Sequence, residues 1–443
     1  MGGATTVSGA RSVVARLGWG VADQGVSSIS NLLLGVVVAH ALSPSGFGAF
    51  ALVYVAYALV LTATRGIATD PLVVRFSVGT EVGRSRAIGA ATASAAAAGT
   101  VAGLACVGIG LGLGGTVGGG FIVLGCWLPF LMLQDAWRFA FFASGTPRRA
   151  LVNDAVWGVL QVVLLVTLVQ TGHDDVTWCL SAFGASAAAA AGFGYLQCRV
   201  RPRVREVRWW LVTHRDLGPR YFVENLSMGG ARQLRFVALG ALGSLTAVGA
   251  TRGAEILMGP FLVILMGVSQ VAVPEGAQVL SQAPRRLVQF CLGIGAVAAL
   301  FAALWGAAVG LLLPSEAGRL LLGDVWPHAS TLILPVALSM VAGGFVVGAT
   351  AGVRALGASR RSLTAQTVSA LLYAGGGCAG VAAGGGAAGS CWGVAAATTV
   401  AAVIWWWHLR RGLADHVAAL PAGPEVGTLP GTDPVPRLQG VTS

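Results

Sequence analysis

Gly145-Thr146-Pro147-Arg148-Arg149-Ala150-Leu151 and Gly357-Ala358-Ser359-Arg360-Arg361-Ser362-Leu363 follow one pattern: a small-residue turn, two adjacent arginines, then a long apolar run. The 443 residues hold 28 arginines and no lysine, and the arginines gather in alternate gaps between apolar stretches. Arg11 and Arg16 precede the first stretch, and Arg65, Arg75, Arg84 and Arg86 lie between the second and third. Arg148 and Arg149 follow the fourth, and seven arginines from Arg199 to Arg220 follow the sixth. Arg285 and Arg286 follow the eighth, Arg354, Arg360 and Arg361 the tenth, and Arg410 and Arg411 the twelfth. The other gaps are close to neutral, among them Ser43-Pro44-Ser45-Gly46, Gly114-Gly115, His173-Asp174-Asp175 and Gly243-Ser244. The gap after the ninth stretch is mixed, with Glu316, Arg319 and Asp324. Basic loops stay on the cytoplasmic side because carrying them across a bilayer is costly. The alternation predicts twelve spans in the plasma (inner) membrane with both termini cytoplasmic.

Composition agrees. Hydrophobic residues make up 55% of the chain, charged residues 10%, and the mean hydropathy is +0.77, whereas a soluble domain carries about 25% charge. The net charge of +11 sits in short loops beside spans, which points to anionic headgroups and not to nucleic acid. The seven cysteines are scattered through apolar segments with no CxxC spacing, so neither a zinc site nor a disulfide framework is expected. Without lysine, a Walker A loop cannot form. The segment before Leu17 is too polar for a signal-peptide core, so the first span should stay in the mature chain.

The predicted spans are Leu17–Leu42, Phe47–Thr64, Ala87–Leu113, Gly118–Ala143, Leu151–Thr171 and Val176–Gln197, then Tyr221–Leu242, Val248–Val271, Leu287–Leu313, Leu332–Ala351, Leu363–Ala383 and Ser390–Trp407. Most approach the ~20 residues that an apolar helix needs to cross a core of about 30 Å. Pro129, Pro260 and Pro335 fall inside spans and should bend them. Asp23-Gln24 in the first span matches Glu224-Asn225 in the seventh at an offset of 201 residues, and Ser43 and Gly48 match Ser244 and Gly249 at the same offset. Six spans per half is an even number, so both halves insert with the same orientation. The expected fold is all-α: a polytopic membrane protein with twelve transmembrane helices in two parallel six-helix lobes around a central cavity. Residues 17–198 and 221–409 form the lobes, 199–220 a basic cytoplasmic linker, 1–16 a cytoplasmic N-terminal tail and 410–443 a disordered, proline-bearing tail.

The opening run Gly18-Trp19-Gly20-Val21-Ala22-Asp23-Gln24-Gly25-Val26-Ser27-Ser28-Ile29-Ser30-Asn31, continued by Ala41-Leu42-Ser43-Pro44-Ser45-Gly46-Phe47-Gly48, resembles the start of polysaccharide flippases of the O-antigen or teichoic-acid type. These belong to the multidrug/oligosaccharidyl-lipid/polysaccharide exporter (MOP) superfamily. Arg65-Gly66-Ile67-Ala68-Thr69-Asp70-Pro71 looks like its actinobacterial branch. The resemblance covers about the first fifth of the chain. It implies two facing bundles that export a lipid-linked glycan by alternating access.

Charges inside the spans are the candidate functional residues, because each costs at least ~2.5 kcal/mol at a helix centre and so faces a cavity or a partner. Arg232 lies 11 residues beyond Tyr221, a depth of about 17 Å at 1.5 Å per residue. Glu224, Met228, Arg232 and Arg235 share one helix face, as do Asp23, Ser27 and Asn31 in the first span. The two stripes are expected to face each other across a central cavity. Arg252 and Glu255 read as an internal i,i+3 salt bridge. Asp135 and Arg138 read either as another or as part of the lumen. Arg65 sits at the inner end of its span, where a headgroup anchor and a substrate contact are both open. Arg232 and Arg235 have no acid nearby on their own helix. Their planar forks suit a diphosphate, unless an acid on another helix pairs with them. The substrate-binding set is therefore Arg232, Arg235, Arg138, Arg65 and Asn31. The lumen or ion-coupling acids are Asp23, Glu224 and Asp135, with the alternative that Asp23 pairs with a base such as Arg138.

Three functions compete. A flippase would move a polyprenyl-diphosphate-linked oligosaccharide or polysaccharide precursor from the inner to the outer leaflet, acting as a monomer in the bilayer and drawing on H+ or Na+. A cation-coupled multidrug exporter of the same superfamily is the alternative. A glycosyltransferase or polymerase would need a sizeable loop region for a sugar donor, and no outside loop exceeds roughly 20 residues. No enzymatic activity, cofactor or metal is expected. Arg232 and Arg235 would repel cationic drugs and attract a diphosphate, which favours the flippase.

Overall fold

The computed structural model describes residues 4–76 and 81–418. Among them every regular element is a helix. Six helices build each half. The first half comprises Ala4–Ala41, Pro44–Thr64 with its continuation Asp70–Phe76, Glu81–Leu113, Gly115–Ala143, Pro147–Gln170 and Val176–Cys198. The second comprises Gly218–Leu242, Leu245–Leu257 continued by Gly259–Gln282, Leu287–Ala307, Ile333–Ala355, Ser359–Gly380 and Gly386–Ala418. These are spans one to twelve, and the protein is a polytopic all-α membrane protein. Among the described residues, eight helical stretches are long and apolar enough to cross a membrane; the last, Ser359–Ala418, contains two spans.

Several boundaries differ from expectation. The first helix begins at Ala4, so much of 1–16 continues the span as helix. The last runs past Arg411 to Ala418, because nothing before Pro421 breaks it; residues 419–443 lie outside the described set. Of the three prolines, Pro129 is inside its helix. Pro260 opens a new helix after a break at Met258, and Pro335 is in the first turn of the tenth span. Proline lacks an N–H and is tolerated at a helix start, where that donor is unpaired anyway. The basic linker carries a short helix, Val207–Thr213, with Trp210 fully buried. The Trp210 indole donates to the Ile67 carbonyl, and Arg86 pairs with Glu206 and lies over the Trp209 ring. The linker is thus docked on the first half. His214 is buried there, its Nδ1 2.9 Å from the Trp210 carbonyl oxygen.

The repeat shows in the packing. Gly145 and Gly357 both take the left-handed conformation, with φ of 68° and 65°, and each stands two residues before the helix that its arginines open. Ser43 and Ser244 cap the second and eighth spans by accepting from Gly46 N–H and Ala247 N–H, each at 3.1 Å, as short hydroxyl side chains do at helix starts. These two helix starts cross at the neutral-loop side. A Cβ on Gly48 would lie 1.6 Å from the Leu245 carbonyl oxygen, and one on Gly249 would lie 2.5 Å from the Pro44 carbonyl oxygen. Gly48 and Gly249, like Pro44 and Leu245, are related by the repeat offset. The contact is therefore reciprocal, as at a pseudo-twofold axis. The second span also packs along the seventh, and the first against the eighth, so the halves meet along a continuous seam.

Candidate functional site: two ionic clusters on either side of the seam

Each half encloses its own charged cluster. In the first half the second span widens into a π-turn at Arg65–Thr69, a break in helical register of a kind frequent at functional positions. Arg65, at its start, donates through Nε and Nη2 to the two Asp135 carboxylate oxygens at 3.0 and 2.6 Å. Arg138, one turn beyond Asp135, reaches Asp23 of the first span at 2.6 Å and Asp154 of the fifth at 3.3 Å. Gln134 donates to Asp154 at 2.9 Å and Asn153 donates to the Ala190 carbonyl at 2.9 Å. Three carboxylates thus meet two guanidinium groups. Asp23 is fully buried, and its Oδ1 has no hydrogen-bond partner among the described residues.

In the second half the balance is reversed. Glu255, on the eighth span, accepts from Arg232 Nη2 at 2.8 Å and from Arg235 Nη2 at 2.7 Å, with Arg252 at 3.7 Å. Three guanidinium groups converge on one carboxylate. Arg235 is 2% exposed and lies beside the rings of Phe236 and Tyr373, and its Nε has no partner among the described residues. Beside this cluster is a cavity of about 320 Å³ lined by Arg232, Arg235, Glu255, Tyr373, Gln366 and Ser339, among others. Arg232 is different: its side chain is 42% exposed, and it also lines a smaller space of about 90 Å³ on the seam, with Tyr54 and Arg252.

The geometry corrects several sequence expectations. Asp135 and Arg138 do not pair with each other through their i,i+3 spacing; each bonds a residue of another helix. Arg65 is held by Asp135 inside its half and is not a free headgroup anchor. Arg232 and Arg235 are paired, with Glu255 of the neighbouring helix. Asp23 turns into its own half, where Arg138 and the polar fifth span offer it partners, and not toward the seventh span. Asn31 is the stripe member on the seam; its side-chain oxygen accepts from the Tyr54 hydroxyl at 3.1 Å, and Tyr54 lies under Arg252. Glu224 falls on a side chain outside the described residues. Sequence reasoning missed Asp154, Tyr373 and the hub role of Glu255. Asp154 had a signal, since it lies inside the predicted fifth span.

No family model and no curated protein sequence matches the chain. Solved structures do. An inward-facing multidrug resistance MATE family transporter of the MOP superfamily superposes with a TM-score of 0.67 at 17% identity, over 90% of this chain and 99% of that one. The lipid II flippase MurJ in an inward closed conformation gives 0.64 at 13% identity, over 88% and 86%. An outward-facing MATE family transporter gives 0.55 at 15% identity, over 91% and 96%. The chain shares the fold of these solved transporters. Within that fold, the ionic cluster of the C-terminal half holds more arginines than carboxylates, and that of the N-terminal half more carboxylates than arginines.

Proposed function

We propose that the chain is a flippase that carries a polyprenyl-diphosphate-linked glycan from the inner to the outer leaflet by alternating access, with Arg232 as its central diphosphate contact. One observation carries the reading: Arg232 lines both the cavity of the second half and the space on the seam, within a cluster whose three arginines face one acid. A carboxylate bonded to two of them leaves net positive charge for an anion arriving from the seam. A planar fork holds two phosphate oxygens at once, and arginine stays charged in a dry site where lysine readily loses its proton. Arg235 supports the same anion from a buried position.

In this reading the lobes are residues 17–198 and 221–409, both termini are cytoplasmic, and the monomer works in the plasma membrane. Arg138, Arg65 and Asn31 contribute on the first-half side, and Asp23, Asp135 and Glu224 are the acids available for H+ or Na+ coupling. A second reading, a cation-coupled multidrug exporter, draws on the ionic cluster of the first half, where three aspartates outnumber two arginines. Variants at Arg232 separate the two. With normal insertion and amount established first, Arg232→Ala should leave lipid-linked glycan on the cytoplasmic leaflet, and Arg232→Lys should be partly impaired through loss of the fork. Parental export by both variants, or drug efflux that improves in Arg232→Ala, would favour the exporter.

A further inference from the structure

The run Trp405-Trp406-Trp407-His408-Leu409-Arg410-Arg411 at the end of the twelfth span has no part in the ionic clusters, yet its residues are placed with some order. Trp405 is buried and donates to the Ser369 hydroxyl at 3.0 Å; Ser369 lines the basic cavity. Trp406 donates to the Phe345 carbonyl at 3.2 Å and ties the twelfth span to the tenth. Trp407 is exposed and lies against the Arg411 guanidinium, 4.5 Å from ring centroid to carbon. Among the described residues, neither Arg410 nor Arg411 pairs with an acid; the nearby Asp415 is taken by Arg361.

Outside the bundle, the ninth, tenth and twelfth spans enclose a groove of about 1000 Å³ that leads away from these arginines. Its floor is the small face of the twelfth span, where Ala395, Ala396, Thr399, Ala402 and Val403 recur at helical spacing. Leu292, Leu338 and Phe345 wall it, and Trp392 stands at its far end. Arg410 and Trp392 are separated by 18 residues, about 27 Å of helix. Both positive charges are thus at one end of an apolar trough that starts at the level of the arginine-bearing loops.

We infer that this groove is a binding site for an anionic diacyl phospholipid of the leaflet on the arginine side. The phosphate is held by Arg410 and Arg411, and the acyl chains lie over the alanine floor. Guanidinium groups bond phosphate oxygens in pairs, tryptophan settles at the headgroup level, and basic recesses between spans take anionic headgroups. A zwitterionic lipid would add a cation beside two unneutralised arginines, so charge selects the occupant. The tenth and twelfth spans present one face to this groove and the other to the basic cavity, through Ser339 and Thr398. The lipid therefore also braces the helices that shape the cavity.

The test is native mass spectrometry of the detergent-purified full chain with dioleoyl phosphatidylglycerol, with dioleoyl phosphatidylethanolamine and a polyprenyl phosphate as separate arms. Arg410→Gln with Arg411→Gln should lower phosphatidylglycerol retention at least tenfold. Ala396→Phe, at an exposed floor position, should lower it similarly with both arginines in place. Arg148→Gln with Arg149→Gln, the same loss of charge on the other half, should not. Equal retention of phosphatidylethanolamine, preference for the polyprenyl phosphate, full retention by Ala396→Phe, or an equal loss from the Arg148/Arg149 variant would each overturn the inference.

Discussion

Gly48→Ala should force open the neutral-loop side of the seam. The added Cβ would lie 1.6 Å from the Leu245 carbonyl oxygen, while real Cβ contacts start near 3.0 Å. The second and eighth spans must then part by at least ~1.4 Å, because a backbone carbonyl capped into a helix start cannot swing aside as a side chain can. Overpacking of this kind costs roughly 1–3 kcal/mol, and it falls only on the conformation in which the two helix starts touch. The ratio of open to closed neutral sides should therefore rise roughly 5- to 150-fold. Gly249→Ala meets the Pro44 carbonyl oxygen at 2.5 Å, so it should act in the same direction but less. Spin labels at Ser45 and Thr246, equivalent positions flanking the contact, would report the distance in liposomes by double electron–electron resonance. The Gly48→Ala distribution should shift to longer distances, with Gly249→Ala between it and the parent. Unchanged distributions in well-folded protein, or a larger effect of Gly249→Ala, would refute the reciprocal contact as the closure of this side.

Glu255→Gln leaves Arg232, Arg235 and Arg252 without their carboxylate. Breaking a buried pair costs about 3–5 kcal/mol, so the melting temperature should drop in detergent, and millimolar pyrophosphate should restore part of it; no drop would mean that the acid is not the hub of the cluster. His214 has its pKa lowered, chiefly by burial, with the Arg75 charge adding to this against the opposing hydrogen bond to the Trp210 carbonyl and the nearby Asp216. Its stabilising contribution is complete above the ordinary histidine value of about 6.5 and should be lost as pH falls below it, because the unfolded chain then binds the proton more readily, at up to ~1.4 kcal/mol per pH unit. Hydrogen exchange in 199–220 should accelerate in that window, and His214→Phe should remove the pH dependence. For topology, single cysteines in a cysteine-free background should react with an impermeant thiol reagent from outside near Asp174 and Gly243 but not near Arg149 or Arg360; the reverse pattern would invert the proposed orientation.

The pairing of charges shows best what could and could not be read in advance. Arg252 and Glu255 are three residues apart on one helix, and they do approach, at 3.7 Å. The shorter bonds to Glu255 come from Arg232 and Arg235 on the preceding span. Asp135 and Arg138 have the same spacing and ignore each other for Arg65 and for Asp23 with Asp154. Spacing fixes which residues share a helix face, but not the helix toward which that face turns. The π-turn at Arg65 has no distinct signal in composition, whereas the break at Met258 follows from Pro260, which cannot continue the helical hydrogen bonding.

The chain by itself indicated an all-α polytopic fold of twelve helical spans and a repeat between its halves. Each of these is a local property. A segment's transfer into lipid depends on its own apolar length, a loop's on its own charges, and a repeat on matched residues such as Gly48 and Gly249. Tertiary structure alone decided that one buried cluster is rich in carboxylates and the other in arginines, and that Arg232 reaches the seam while Asp23 turns away from it. Those outcomes follow from the rotation and crossing of helices. A long guanidinium side chain in a low-dielectric bundle bonds whichever carboxylate that packing brings within reach.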